Sequence, residues 1–262
     1  MKNFKNKTIL ITGASSGIGE SFANTLDSFG ANLILTARSE DKLNEMAKKM
    51  NKAVVIAGDL SDQNFPKKLY EQVKGNNLNV DILINNAGFG FSGLFLDSSI
   101  ANYKDMLNVN VYSLIELSHL FLKDMVKQKS GGIINISSLA SFQPIPYFSI
   151  YAATKSFVTS FTQSLHEEYR EKGIRVLGVC PGYTRTNFNI RAQMQEKSVP
   201  GYTMTSQAVV NESLKAYSKG QYLIVNGKIN RFARFLISLL PSSLSLRLSK
   251  NVIRKGMDNK NW

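Results

Sequence analysis

A tyrosine and a lysine four residues apart are the side chains in this sequence best suited to proton chemistry. Tyr151 and Lys155 belong to the run YAATK, which begins a segment with helical periodicity. Residues four apart share one face of a helix. A phenol with an unperturbed pKa near ~10 is a poor acid or base at neutral pH unless a nearby cation favours the phenolate. Lys155 can supply that charge, so the pair predicts acid–base catalysis; an exposed surface pair is the alternative for an isolated YxxxK.

A glycine-rich turn follows the first apolar run, at residues 12–19, which read TGASSGIG. Glycines let the backbone approach a pyrophosphate, and the start of the following helix supplies N–H groups and a positive dipole. The spacing is GxxxGxG rather than the commoner GxGxxG. A purely structural strand-to-helix turn is the alternative, but the position directly after a strand favours a dinucleotide site. The predicted contacts are Gly13, Ser15, Ser16, Gly17, Ile18 and Gly19.

The end of the second predicted strand bears on the choice of cofactor. An NAD site usually places an acidic residue there to bind the ribose hydroxyls. This sequence has TARS at 36–39 instead, with no acid and with Arg38, whose guanidinium can pair with a phosphate in bidentate fashion. We therefore predict NADP(H) in preference to NAD(H). The alternative is that Arg38 is a solvated loop charge.

Two further strand ends carry small or polar residues that suit a cofactor site. Asp59, after the third strand, could accept a hydrogen bond from an adenine amino group, and it equally suits a cap or a turn. The run NNAG at 85–88 follows the fourth strand, where the backbone must pass close to a flat ligand. Its asparagines could also satisfy buried backbone groups. The predicted contacts are Asp59, Leu60, Asn86, Ala87 and Gly88.

Composition argues against metal chemistry, and no sequence motif indicates a nucleic-acid-binding protein. A single cysteine, Cys180, excludes an intramolecular disulfide and a multi-thiolate metal site. Only two histidines, His119 and His166, are present, so we predict no metal. The net charge of +13 is compatible with nucleic acid or an anionic membrane. No nucleic-acid module is recognisable, so no specific nucleic-acid partner is predicted.

Strand and helix patterns alternate along the whole chain. Near-continuous apolar strands separated by helical crossovers predict a parallel sheet covered by helices on both faces, that is, a doubly wound α/β fold. Ligands of such sheets bind beyond the carboxyl ends of the strands, where the motifs above lie. The seven predicted strands are residues 8–12, 32–37, 53–57, 80–84, 132–136, 174–179 and 222–225.

No linker or repeat divides the chain, which predicts one domain. Within it we assign 1–130 mainly to cofactor binding, 131–227 to catalysis and substrate, and 228–262 to a basic amphipathic helical extension. The first apolar run is short and leads into the glycine turn rather than a cleavage site. No stretch approaches the ~20 apolar residues that span a bilayer. These patterns favour a cytoplasmic protein.

Together the motifs resemble those of the short-chain dehydrogenase/reductase family, over residues 7–227. The shared elements are TGASSGIG at 12–19, NNAG at 85–88, Asn110 in NVN, Ser138, YAATK at 151–155 and PGYTRT at 181–186. The finer resemblance is to a bacterial subgroup of broadly described oxidoreductases related to ketoacyl and hydroxysteroid reductases. The resemblance implies a Rossmann-like fold, a nicotinamide cofactor and a homo-oligomer.

The resemblance also implies roles for individual residues. Tyr151 would protonate the substrate carbonyl oxygen or accept the alcohol proton in reverse, and Lys155 would lower the pKa of Tyr151 and hold the nicotinamide ribose. Ser138, thirteen residues before the tyrosine, would hydrogen-bond the substrate oxygen, with Ser137 as second choice. Asn110 would organise a water-linked proton path behind Lys155. Residues that would border the nicotinamide are Pro181, Gly182 and Thr186.

The resulting hypothesis is an oxidoreductase that transfers a hydride between nicotinamide and a carbonyl or secondary alcohol of an apolar or amphipathic substrate. Donors placed around the oxygen lower the barrier because hydride transfer puts negative charge there. The alternatives are a non-catalytic NADP(H)-binding sensor and a membrane-associated reductase of acyl or lipid ketones. The candidate pocket walls are Phe89, Phe91, Phe142, Ile145, Tyr147 and the stretch 183–202. The alternative is that the aromatic residues beside the strand ends belong to the core.

After Asn226 the chain reads as two short amphipathic helices separated by Pro241. Basic amphipathic helices can lie on anionic membranes. They can equally pack on the fold or on a neighbouring subunit, and the pattern leaves this choice open. The basic residues that punctuate the apolar pattern are Arg231, Arg234, Arg247, Lys250, Arg254 and Lys255.

Overall fold

A seven-stranded parallel sheet forms the centre of the computed structural model, which describes residues 2–188, 192 and 203–255. Its strands are β1 (Thr8–Thr12), β2 (Asn32–Thr36), β3 (Ala53–Val55), β4 (Ile82–Asn85), β5 (Gly131–Ile136), β6 (Ile174–Cys180) and β9 (Leu223–Val225). Two further short strands, β7 (Thr184–Arg185) and β8 (Met204–Thr205), pair only with each other. The strand order is β3-β2-β1-β4-β5-β6-β9, so the winding reverses between β1 and β4.

Helices connect the strands and cover both faces of the sheet. The helices of the described residues are α1 (Gly17–Ser28), α2 (Glu40–Ala47), α3 (Phe65–Gly75), α4 (Ile100–Leu107), α5 (Ser113–Gln128), α6 (Ser149–Tyr169), α7 (Ser206–Ser218), α8 (Lys228–Ser238) and α9 (Ser242–Lys255). A π-helical turn, Asn108–Tyr112, joins α4 to α5, and a 3₁₀ turn, Leu139–Phe142, follows β5. Among these helices, none has both the length and the hydropathy that crossing a bilayer requires.

The sheet has a hydrophobic core on each face because successive side chains of a strand point to opposite sides. In β1, Ile9 and Ile11 join the cluster that contains Phe22 of α1, whereas Leu10 joins the cluster that contains Phe121 of α5. Both faces are buried, which explains why the strands read as continuous apolar runs instead of alternating ones.

The predicted fold is confirmed, and the strand positions agree with the prediction to within a few residues. The fourth strand begins at Ile82 instead of residue 80. Just before it, the Asp81 carboxylate accepts hydrogen bonds from the Lys7 ammonium at 2.7 Å and from the Thr8 amide at 2.8 Å. The β7–β8 pair was not predicted, since two residues carry no measurable periodicity. Pro241 separates α8 from α9, as the sequence indicated.

Candidate active site

One cavity of about 670 Å³ lies at the carboxyl ends of the strands, at the reversal between β1 and β4. It is lined by the segments that follow each of the strands β1 to β6, and by the start of α6. Ligands of doubly wound sheets bind at such a reversal. Most of the predicted site residues therefore meet in one space.

The glycine turn after β1 presents its backbone to this cavity. Gly13 and Gly17 have φ values of 64° and 60°, a left-handed conformation that glycine adopts without steric cost. Ser16 occupies the N-cap position of α1 and makes no side-chain capping hydrogen bond. Gly19 differs from the prediction because it does not line the cavity: a side chain there would collide with the Gly13 carbonyl oxygen. Residues of the turn that line the cavity are Gly13, Ser15, Ser16, Gly17 and Ile18.

The NNAG segment after β4 packs against that turn. Asn86 donates through Nδ2 to the Thr12 carbonyl oxygen at 2.8 Å, and the Thr12 hydroxyl accepts from the backbone amides of Asn86 and Ala87, both at 2.9 Å. Asn86 therefore satisfies buried backbone groups, which is the structural alternative that the sequence analysis allowed. This role coexists with exposure to the cavity, since Asn86, Ala87 and Gly88 all line it.

Arg38 and Asp59 lie at the cavity wall near the ends of β2 and β3. Arg38 Nη1 is 3.9 Å from Asp59 Oδ2, and the Arg38 side chain is 64% exposed. The other Asp59 oxygen, Oδ1, accepts from the Ser61 amide at 2.9 Å, which is the turn role that the sequence allowed. Leu60 lines the same wall. The guanidinium is thus only loosely held and remains accessible from the cavity.

Tyr151 and Lys155 lie in the first two turns of α6 and are buried, with 7% and 4% of their surface exposed. Lys155 Nζ donates to the Ile136 carbonyl oxygen at 2.8 Å and is 5.7 Å from the centre of the Tyr151 ring. The shared helix face is confirmed. The alternative of an exposed surface pair is wrong.

Burial dominates the acid–base behaviour of this pair because it disfavours the charged form of each group. It raises the pKa of Tyr151 to about 12, opposed by a hydrogen bond from Ser138. It lowers the pKa of Lys155 to about 8. The expected lowering of the tyrosine pKa by Lys155 is therefore not seen, because desolvation sets the direction of the shift.

The two neighbouring serines after β5 are in different situations. The Ser137 hydroxyl donates to the Lys155 carbonyl oxygen at 2.8 Å and lies 2.6 Å from Thr159 Oγ1, so it is engaged by α6. The Ser138 hydroxyl accepts from the Ala140 amide at 3.1 Å and lies within reach of Tyr151 in the cavity. The geometry therefore favours Ser138 over Ser137.

Asn110 is buried behind the cavity, in the π-helical turn. Its Nδ2 donates to the Phe89 carbonyl oxygen at 2.9 Å and to Thr154 Oγ1 at 3.1 Å, and its Oδ1 accepts from the Phe89 amide at 3.0 Å. A side chain at Gly88 would meet both Asn110 Oδ1, at 3.1 Å, and Lys155 Nζ, at 3.2 Å. Asn110 thus ties the segment after β4 to α6 next to the lysine.

The segment after β6 completes the wall beside the tyrosine. Pro181, Gly182 and Thr186 all line the cavity, as predicted. A side chain at Gly182 would collide with Asn230, so this glycine permits the close approach of α8. Cys180, the last residue of β6, is fully buried, as the sequence suggested.

The expected substrate walls are only partly correct. Phe89 and Ile145 line the cavity, whereas Phe91, Phe142 and Tyr147 do not. The Phe91 ring packs edge-on against Tyr103, and the Phe142 ring lies 4.2 Å beneath the Arg234 guanidinium. Of the stretch 183–202, the cavity is lined by Tyr183, Thr184, Thr186 and Phe188. Residues 189–191 and 193–202 of that stretch fall outside the described residues.

The wall residues that the sequence analysis missed include Gln143, Phe148, Ile237 and Ile253. Ile237 and Ile253 come from α8 and α9, so both C-terminal helices reach the cavity. The apolar periodicity of these helices indicated that one face of each is buried. The periodicity does not show which part of the protein that face packs against. Within the described part of the chain, no cluster of three or more His, Cys, Asp and Glu side chains could hold a metal.

Comparison with known proteins agrees with this geometry. The family model described as short chain dehydrogenase matches residues 7–197. A human very-long-chain 3-oxoacyl-CoA reductase is 34% identical over 253 residues, covering 93% of this chain and 78% of that protein. An uncharacterized oxidoreductase of Staphylococcus epidermidis is 31% identical over 221 residues, covering 80% and 96%.

A similar solved structure is a short-chain dehydrogenase from Sphingobium yanoikuyae in complex with NADPH. It has a TM-score of 0.80 and 28% identity, and the match covers 90% of this chain and 97% of that one. The chain therefore belongs to the short-chain dehydrogenase/reductase family and is an oxidoreductase that acts on CH–OH groups with NAD(P).

Proposed function

We propose that this protein is an NADP(H)-dependent oxidoreductase that interconverts a ketone and a secondary alcohol on an apolar or amphipathic substrate. The observation that carries the proposal is the grouping of Ser138, Tyr151 and Lys155 between the glycine turn and the apolar walls of one cavity. A protein that only binds a nucleotide has no need of a buried phenol next to a buried ammonium.

The cavity fits a dinucleotide. The left-handed glycines of the turn allow close approach by a pyrophosphate, and the first amide groups of α1 favour its charge. Gly88 keeps the space next to Lys155 open, because a side chain there would press on the lysine Nζ. Gly19 supports the site by packing α1 against the turn. The proposed contacts are Gly13, Ser15, Ser16, Gly17, Ile18, Asp59, Leu60, Asn86, Ala87, Gly88, Tyr151, Lys155, Pro181, Gly182 and Thr186.

The preference for NADP(H) rests on Arg38. Its side chain is 64% exposed and 3.9 Å from its only ion-pair partner among the described residues, Asp59. A 2′-phosphate carries more charge than a single carboxylate and can accept two parallel N–H bonds from the guanidinium. The NADPH named in the description of the Sphingobium yanoikuyae relative is consistent with this preference.

For the reaction, a bound nicotinamide supplies or accepts the hydride. In the reductive direction Ser138 Oγ donates a hydrogen bond to the substrate oxygen, and Tyr151 Oη donates the proton. A pKa of about 12 keeps that proton on Tyr151 at neutral pH until the oxygen becomes basic. Lys155 is a cation below about pH 8, and its charge favours the phenolate that remains.

Lys155 and Asn110 prepare the tyrosine for the next cycle. The Ile136 carbonyl oxygen holds the lysine ammonium from behind. Asn110 fixes the Phe89 backbone and Thr154 beside it. We assign Asn110 to a positioning role, with a water-linked path that returns a proton through Lys155.

The substrate class is inferred from the walls opposite the cofactor end. They are mainly aromatic and aliphatic, with Phe89, Ile145, Phe148, Phe188 and Ile253 among them. Apolar walls favour an apolar body next to the reacting oxygen. The 3-oxoacyl group in the name of the human relative is a ketone on such a body, so ketones with long apolar chains are the first substrates to test.

Replacing Tyr151 by Phe tests the mechanism. We expect NADPH oxidation with a panel of long-chain ketones and 3-oxoacyl thioesters to fall by at least about a thousandfold, since the proton donor is removed. NADPH binding, followed by nicotinamide fluorescence, should be retained. Tyr112→Phe is the matched control, because that phenol is 49% exposed and outside the cavity. Turnover that survives in Tyr151→Phe would refute the assignment of the acid.

A homo-oligomer remains a prediction from the family resemblance. Sedimentation velocity of the full chain tests it, and a monomer over the whole working range of concentration would contradict it.

A further inference from the structure

The two C-terminal helices carry outward apolar stripes. On α8 the side chains of Phe232, Leu236 and Leu239 are spaced by three and four residues, and on α9 Leu244, Leu248 and Val252 are each four apart. These six side chains are between 38% and 65% exposed. Exposed apolar side chains that recur along one face of a helix, rather than scattered singly, are typical of an interaction site. We call these six residues the outward stripes.

The exposure does not come from undocked helices, because the inner faces are fixed to the fold. Asn230 and Ile253 are 7% and 9% exposed. Ser249 Oγ donates to the Pro144 carbonyl oxygen at 3.3 Å, and the Arg234 guanidinium covers the Phe142 ring at 4.2 Å. One face of each helix therefore packs against the rest of the protein. The outward stripes take no part in that packing.

The charge of the same segment indicates what covers the outward stripes. Residues 228–255 contain seven basic side chains and no Asp or Glu. Glu212 lies 3.8 Å from Arg231 and offsets one of these charges. Arg247 and Lys250 on α9 are exposed between the apolar positions. The basic side chains are Lys228, Arg231, Arg234, Arg247, Lys250, Arg254 and Lys255.

A second copy of this chain fits such a surface poorly. A symmetric contact would bring two segments of the same sign together, and like charges across an interface are unfavourable. An anionic bilayer offers the opposite charge next to an apolar layer, which is what basic amphipathic helices bind. We propose that the outer surface of α8 and α9 docks the protein peripherally on anionic membranes, with the outward stripes at the boundary between headgroups and acyl chains.

Cosedimentation with vesicles tests the docking directly. The full chain is mixed with vesicles of phosphatidylcholine alone or with phosphatidylglycerol added, at about 0.1 M and about 1 M salt, between which the Debye length falls from about 10 Å to about 3 Å. We expect sedimentation with the anionic vesicles only, and weaker binding at the higher salt. Absence of binding to anionic vesicles at low salt would overturn the proposal.

Paired charge reversals locate the surface. Arg247→Glu with Lys250→Glu should weaken binding by at least about thirtyfold, since each basic residue near an anionic surface contributes about fivefold. Lys48→Glu with Lys49→Glu is the matched control, because both lysines are exposed at the end of α2 and the net charge changes equally. An equal loss in both pairs would mean that the overall charge of +13 drives binding, and the proposed surface would be wrong.

Paired apolar replacements test the stripes themselves. Phe232→Ser with Leu239→Ser should weaken binding by on the order of tenfold or more, since less apolar surface leaves water. Leu96→Ser with Ile100→Ser, which are 89% and 64% exposed elsewhere, should leave it unchanged. If the Phe232 and Leu239 pair instead turned an oligomer into a monomer and left vesicle binding intact, the outward stripes would be a subunit contact. These measurements need no turnover, so their failure is separate from a failure of the proposed reaction.

Discussion

The proposed cofactor end of the cavity is built around glycine turns, whereas the proposed substrate end is built from side chains of distant parts of the chain. The glycine turn and the NNAG segment are each a short continuous run of the chain. Their small residues let two strand ends come into contact, as at Gly13 and Ala87. The substrate end takes Phe89 from after β4, Phe188 from after β6 and Ile253 from α9. The cofactor end therefore consists of short continuous motifs, whereas the substrate end forms only when distant parts of the chain pack together.

This difference decides what each end tolerates. A closely packed backbone leaves no room for added atoms, and a Cβ at Gly13 would lie only 2.9 Å from the Ala87 Cα. A side-chain wall can change shape one residue at a time without disturbing the sheet. We infer that the cofactor end limits the chemistry to hydride transfer, while the substrate end is where relatives with the same chemistry can differ.

Among the changes that compare the two ends, the largest effect is expected at Lys155, where the ends meet. Its pKa is lowered to about 8, so it loses its proton as pH rises through 8, while Tyr151, with a pKa of about 12, keeps its own. If the cation is required, kcat/KM for ketone reduction falls about tenfold per pH unit above 8. Lys155→Arg should remove this decline, because arginine stays charged. A wild-type pH–rate profile that is flat to pH 10 would contradict the role of the cation.

An intermediate effect is expected at Arg38, whose side chain is proposed to contact the 2′-phosphate at the cofactor end. Arg38→Ala should raise the Kd for NADPH by about tenfold, a modest change because the guanidinium is largely exposed to solvent. The Kd for NADH should not change. Lys42→Ala is the matched control: this lysine pairs with Glu20 at 3.7 Å and lies outside the cavity. Fluorescence titration measures both cofactors, and wild-type NADH binding as tight as NADPH binding would remove the argument for NADP(H).

The smallest effect is expected at Ile253. Ile253→Ala should raise KM for a long-chain ketone by about three- to fivefold, because a partly contacting aliphatic group is lost, and should leave the Kd for NADPH unchanged. Leu248→Ala, on the outward side of the same helix, should change neither constant in the absence of vesicles. Steady-state kinetics with ketones of different chain length check this. An effect on NADPH binding equal to that on KM would break the separation between the two ends.

The sequence predicted the cofactor end better than the substrate end, for a physical reason. A left-handed glycine such as Gly13 leaves a local signature, and so does a tyrosine four residues before a lysine. Ile237 and Ile253 are visible in the sequence only as parts of an apolar helical pattern. That pattern is the same whether the helix face covers a cavity or the hydrophobic core. Phe142 was expected in the wall because it follows β5, but Arg234, 92 residues later in the chain, covers its ring.

Burial explains the other differences from the sequence analysis. The pKa of Tyr151 depends on how completely its surroundings exclude water, which no spacing reveals. Gly19 fits the cofactor motif by position, yet its contacts are with Gly13 and Asn86 inside the protein. The division of the chain into cofactor, catalytic and C-terminal parts stays a prediction.

The C-terminal helices make the cavity wall only one helix thick. A helix with its side chains is about 10 Å across. Ile253, which lines the cavity, and Leu248, which is exposed on the outer surface, are therefore separated only by the width of α9. No other layer of the described residues is needed between them, so the segment after Asn226 supplies part of the cavity wall and part of the outer surface together. If the proposed substrate class and the proposed membrane docking both hold, a change in residues 228–255 would alter chain-length selectivity and membrane attachment together.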